Sequence, residues 1–257
     1  MDKATKSANR KSLPTPSFLP QTNIQFYAWA HSFGYSTEDI RYFSDIYRLS
    51  QELFGSQFRA SGKPFTSHLI GTASATCVER PPAYVVGAAL CHLPLKNGEF
   101  SPFNSSRAKL RLVDSVLGKE AMEVDQVYEE IQRSRKLHFD SLESGNWQPT
   151  LKEQYALLIW AANEVDDELD AGSLFAAPER YETQSRRWVT ELTRRYDWAE
   201  FESLAQDVYH VSEARHWASD MASNRTSAYT INSLTGRYPI RTRIRWKLNK
   251  LLKLRNH

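Results

Sequence analysis

The chain has 257 residues, 41% of them hydrophobic and 25% charged, the balance of a globular protein with enough apolar side chains for a sizeable core. Its two cysteines, Cys77 and Cys91, sit inside apolar helical patterns, which argues against a disulfide-stapled scaffold and for a reducing, cytoplasmic setting. No run of roughly 18 apolar residues occurs, so no membrane span is expected, and the N-terminal stretch lacks the apolar core of a secretory signal.

The net charge of +3 hides an asymmetry. Residues 221–257 hold nine Lys/Arg and no Asp/Glu, so the other 220 residues, with 24 basic and 30 acidic groups, carry a balance of −6. An acidic body followed by a basic tail divides the chain into an arm over 1–20, a helical domain over 21–220 and a tail over 221–257.

The arm combines Lys, Ser and the prolines Pro14, Pro16 and Pro20, a composition that predicts disorder. Ser36, followed by Thr37, Glu38 and Asp39, is a capping signal. Ile40, Phe43, Tyr47 and Phe54 then recur at helical spacing. "SGKPF" ends that helix and "HLIGTASATCVE" forms the next, opened by His68. Pro81-Pro82 starts "AYVVGAALCHL", apolar on nearly every side and therefore central. Asn104 or Ser105 caps a further helix that Gly118 ends. "KEAMEVDQVYEEIQRSRKL" is amphipathic. "LKEQYALLIWAANEVDDELD" is apolar at its start and acidic at its end. Two more helices fill about 180–220. No strand pattern exceeds four or five residues, so the prediction is an all-α fold of about eight to nine helices plus a basic C-terminal helix.

His68 and His92 each stand in a small, apolar neighbourhood, and each reads in two ways. They are ligands converging on one metal, or core histidines satisfied by hydrogen bonds. "AANEVDDELD" adds Asn163, Glu164, Asp166 and Asp167 as oxygen donors. The metal candidates are His68, His92, Glu164 and Asp167, for a divalent ion such as Mn, Fe or Zn. Arg59, Lys63, Lys96 and Asn97 are the candidates for binding substrate or phosphate.

"QFRASGKPFTSHLIGTA" resembles the opening of the hydrolase half of RelA/SpoT-type alarmone enzymes, of the form Q-x-R-x-S-G-x-P-[YF]-x-x-H. Gln57, Arg59, Ser61, Gly62, Pro64, Phe65 and His68 match in order. Ala88, Ala89, Leu90 and His92 match the next block, A-A-L-x-H-D. His68, Leu69, Gly71, Thr72, Leu90, His92, Gly98 and Phe100 are also similar to an uncharacterised HD-like family with H-L-x-G-T and A-G-L-x-H motifs. The resemblance covers roughly residues 40–170. It implies an HD-like helical fold and a metal-dependent phosphohydrolase acting on a nucleotide or phosphoester. Three departures point instead to a pseudoenzyme that binds a nucleotide, phosphorylated small molecule or partner. Leu93 stands where the family has Asp, Lys96 and Asn97 stand where it has Glu-Asp, and Asn163 falls on its last metal-binding Asp, unless a shifted register uses Glu164 or Asp166.

In the tail, Ile240, Ile244, Leu248 and Leu251 recur at helical spacing among Arg241, Arg243, Arg245, Lys247, Lys250 and Lys253. This basic amphipathic pattern suits an anionic membrane surface, a protein partner or the acidic body itself, and nucleic acid less well. Arg241, Arg245, Trp246 and Lys250 are its candidate contact residues. A third functional reading follows from the tail, an accessory protein at the inner face of a membrane.

Overall fold

The computed structural model of the chain describes residues 19–59, 61–101, 104–170, 179–213 and 229–230. The predicted basic helix, with Arg241, Arg245, Trp246 and Lys250, lies outside the described residues, as does the predicted arm up to residue 18. Leu19, at the end of that arm, is fully buried. Among the described residues no helix is long and apolar enough to cross a membrane.

The fold is all-α. In chain order the elements are α1 (Asn23–Ser32), α2 (Thr37–Phe54), β1 (Gln57–Phe58), α3 (Phe65–Cys77), α4 (Ala83–Leu90), α5 (Pro94–Asn97), α6 (Ser106–Leu117), α7 (Lys119–Arg133), α8 (Arg135–Glu143), α9 (Leu151–Leu169), α10 (Glu179–Tyr196), α11 (Ala199–Glu213) and β2 (Tyr229–Thr230). The two short strands pair antiparallel, Gln57 with Thr230 and Phe58 with Tyr229.

Local chemistry explains most boundaries. Ser36 and Thr150 each open a helix with a capping box, closed by Asp39 and Glu153. Ser105 is the cap of α6, and Gly118 ends it at φ +79°, a left-handed conformation that glycine adopts without a Cβ clash. The described segments number eleven helices against the predicted eight or nine. One extra helix arises at Ser134, whose hydroxyl bonds back to the Glu130 carbonyl at 3.0 Å and splits one predicted helix into α7 and α8. The other is the single turn α5, for which Pro94 supplies a preset φ at the first position.

At the centre, α3 packs on α9 and α4, and α7 packs on α9 and α4. Helix α3 tolerates this because it is built of small residues. Its segment Leu69–Cys77 is buried throughout, which lets neighbouring helices approach from several sides. Long apolar side chains fill the periphery of that core. Phe43 on α2 is fully buried, with ring centroids 5.4 Å from Phe26 and 5.4 Å from Tyr35. Replacing Phe43 by Ala removes a large side chain that neighbouring rings cannot collapse to fill. The substitution is expected to destabilise the protein by roughly 3–5 kcal/mol, read as a lower urea midpoint by circular dichroism.

Candidate functional site

The polar centre of the molecule lies where the start of α3 meets the end of α9. At the end of α9, Asn163, Asp166, Asp167 and the C-cap residue Asp170 fall at i, i+3, i+4 and i+7, the spacing of one helical face. That face meets His68 on the first turn of α3. His68 Nδ1 is 2.7 Å from Asp166 Oδ2 and 3.5 Å from Asp167 Oδ1, and His68 Nε2 is 3.0 Å from Asn163 Oδ1. His68 and Asp166 are both fully buried.

Two cations enter from the loop before α3. Gly62, at φ +89°, donates its N–H to the Arg59 carbonyl at 2.9 Å, and the Arg59 N–H donates to the Lys63 carbonyl at 2.9 Å. This turn folds Arg59 and Lys63 toward α9. Lys63 Nζ donates to Asp166 Oδ1 at 2.8 Å and Oδ2 at 2.9 Å, and lies 2.7 Å from Asp170 Oδ2. Arg59 pairs with Asp167 and lies over the Phe65 ring, 5.9 Å from its centroid.

Asp166 is the hub. Lys63 reaches both its oxygens, His68 reaches Oδ2, and Gln21 Nε2 donates to Oδ1 at 3.2 Å. A carboxylate offers about four acceptor positions, and these contacts use them. Burial by itself would raise the Asp166 carboxyl, but Lys63 first and His68 next outweigh it and hold it down at about 2. The same balance acts on Lys63. Burial works against its ammonium, yet Asp166 and Asp170 lift it above the ordinary lysine range.

The close approach needs Gly71, one turn after His68. A Cβ there would stand 1.7 Å from Asp166 Oδ1 and 2.9 Å from Gln21 Nε2. Only a residue without a side chain lets the Asp166 carboxylate lie against the α3 backbone.

His92 lies just beyond α4, where its ring makes an edge contact with His68 at 5.3 Å and with Tyr128 at 5.5 Å. Its Nδ1 faces the Ala89 carbonyl at 2.9 Å. Burial first, then His68, pushes its pKa down to about 3, so the ring is neutral at physiological pH. The next residue, Leu93, takes the left-handed conformation at φ +55°, which costs a non-glycine residue about 1–2 kcal/mol. Its N–H donates to Asp125 Oδ1 at 2.6 Å across the core from α7.

The structure thus gathers Arg59, Lys63, His68, His92, Asn163 and Asp167 in one cluster. Glu164, one position off the cluster face, lies 3.8 Å from Arg135, and burial raises its carboxyl to about 7. Lys96 and Asn97 stand exposed on α5, where the Asn97 carbonyl accepts from Gln57 Nε2 at 2.8 Å. From sequence, Asp166 is one of several oxygen donors but not among the four metal candidates, Gly71 is only part of a motif, and Asp170, Gln21 and Asp125 are not singled out. The four-residue face on α9 and a glycine three residues after His68 were the available signals.

His68, Asp166 and Asp167 offer ligand atoms that all lie within 4.8 Å of one another, so the cluster has the donor spacing of a metal site. Its carboxylates, however, already have cations. Arg59 and Lys63 oppose Asp166, Asp167 and Asp170, two cations against three anions. A divalent ion on Asp166 has to displace Lys63, and Leu93 offers it no ligand atom. As it stands, the donor set does not fit a resident divalent ion. No protein-family model matches the chain, and no curated protein matches it.

Two substitutions probe this arrangement. Gly71→Ala forces Asp166 away and leaves buried cations unpaired, for an expected loss of about 3–5 kcal/mol in urea unfolding. Asp125 is buried, and burial raises its carboxyl from 3.8 to about 7 despite the Leu93 N–H. The native state keeps that proton between pH 3.8 and about 7 while the unfolded chain has released it. Its contribution to stability therefore falls as pH rises through that window. Asp125→Asn is expected to remove this fall, seen as a flatter profile of urea midpoint against pH.

Proposed function

We propose that the chain is a degenerate HD-like helical domain whose histidine–aspartate cluster serves as a metal-independent binding module for a nucleotide or other phosphorylated small molecule. The observation that carries this reading is the engagement of Asp166. A buried carboxylate with both oxygens committed to Lys63, His68 and Gln21 is a structural anchor, and it is poorly placed to hold a metal-bound water. The resemblance in Gln57–His68 and Ala88–His92 supplies the fold family. The Leu93 and Asn163 departures supply the lost chemistry.

Arg59 and Asp167 form the reachable edge of the cluster, with side chains 26% and 23% exposed, whereas Lys63 is 8% exposed. A phosphate arriving there competes with Asp167 for the Arg59 guanidinium, whose planar donors suit phosphate oxygens. Phe65, buried and stacked on Phe54, lies beneath Arg59 and backs the guanidinium from the core side.

A second reading, a divergent metal-dependent phosphohydrolase, is favoured by the ligand spacing of His68, Asp166 and Asp167. In that case Mn, Fe or Zn would take the place of Lys63 on Asp166, and Glu164 is the nearby carboxyl that burial tunes to about 7.

Isothermal titration of the full chain with nucleoside di- and triphosphates and sugar phosphates, run beside a phosphate-release assay with and without Mn²⁺, separates the readings. The expected outcome is saturable binding of at least one class without turnover, weakened roughly 10- to 100-fold by Arg59→Ala, the weight of a charge-assisted hydrogen bond. Turnover that requires Mn²⁺ and disappears in His68→Ala would establish the hydrolase instead.

A further inference from the structure

We infer that Lys63 is a tethered cation that holds closed a latent divalent-metal site formed by His68, Asp166 and Asp167. The inference rests on the metal-independent reading of the cluster and explains how that state is maintained.

An ammonium carries three N–H donors. Lys63 Nζ meets three carboxylate oxygens, Asp166 Oδ1 at 2.8 Å, Asp166 Oδ2 at 2.9 Å and Asp170 Oδ2 at 2.7 Å. Two of these contacts are hydrogen bonds, both to Asp166, and the third is an ion pair with Asp170, so the ammonium faces the acidic end of α9. The ligand atoms that remain, on His68, Asp166 and Asp167, lie within 4.8 Å of one another, close enough for one ion to bridge. His68 presents Nδ1 to both carboxylates, at 2.7 Å and 3.5 Å. Lys63 thus occupies the Asp166 oxygens that an ion held by this set must share.

The geometry also keeps the lysine there. Lys63 immediately precedes Pro64, whose fixed φ starts α3, and its carbonyl accepts from the Arg59 N–H at 2.9 Å. The side chain is anchored by a short turn at one end and by two aspartates at the other. Its effective concentration at Asp166 is set by the chain, so free cations at ordinary concentration compete poorly. Removing the ammonium leaves Arg59 alone against Asp166, Asp167 and Asp170, an excess of negative charge beside a ready imidazole.

The test is titration of the full chain with MnCl₂, followed by calorimetry and by thermal unfolding, for wild type, Lys63→Met and Lys63→Met/Asp166→Asn. Wild type is expected to show no saturable Mn²⁺ binding. Lys63→Met is expected to take up one ion at least about a hundredfold more tightly than wild type, because a unit positive charge beside the ion has gone. Its melting temperature should rise with MnCl₂, and the double variant should lose both effects. A folded Lys63→Met protein that takes up no Mn²⁺ overturns the inference and leaves the metal-independent reading standing. Wild type binding Mn²⁺ as tightly as Lys63→Met overturns both. Should Lys63→Met fail to fold even with MnCl₂ present, Lys63→Gln, which keeps a donor for Asp166 without the charge, decides by the same criteria.

Discussion

The burial of the Asp166 carboxylate is the constraint around which the rest of the structure is arranged. An ionised carboxylate removed from water is costly unless its acceptor positions are filled, and leaving one partner out of such a lattice is more damaging than never burying it. Here the partners come from three places in the chain: Gln21 ahead of α1, Lys63 in the loop before α3, and His68 on α3. Each of those segments is positioned by a charge that belongs to α9. Gly71 makes the contact sterically admissible. The α3–α9 interface is thus fixed by electrostatics at its polar end and by small-residue packing along the rest.

A second polar device works on the neighbouring helix pair. Asp125 on α7 reaches the backbone N–H of Leu93, which offsets the strain of a left-handed leucine and sets the turn that carries His92. The carboxylate at the turn that carries His92 comes from a different helix and is spent on a main-chain hydrogen bond. The chemistry of the two sites follows a common pattern. Acidic groups that could serve a metal-bound water are committed to holding the backbone and the charged loop in place. The cluster meets solvent at Arg59, Asp167 and Asp170, whose side chains are partly exposed.

Helix positions were largely legible from local chemistry. Ser36, Ser105 and Gly118 act as caps and stops because a side-chain oxygen or a missing Cβ satisfies an end regardless of what packs nearby. Places where tertiary context intrudes were harder to read. The predicted helix from Lys119 to Leu137 is split at Ser134, and α3 starts at Phe65, three residues ahead of His68. The pairing of His68 with His92 was legible as well, through order and neighbourhood, and their rings do touch. Asp166 was not, because four acidic residues in five, Glu164, Asp166, Asp167 and Glu168, look alike in a charged run. Which of them faces inward depends on the rotation of α9 against α3.

The sequence by itself determined an all-α body, its main helix boundaries, and a set of charged and imidazole groups at the start of α3 and the end of α9. These features rest on periodicity, capping and composition, which act over a few residues. Tertiary structure alone decided that Lys63 answers Asp166 across 103 positions, that Gln21 joins it from 145 positions away, and that Asp125 holds Leu93 from 32 positions away. The reason is physical. A buried charge is stabilised only by partners at hydrogen-bond distance, and that distance is set by helix packing, over which no local pattern has control.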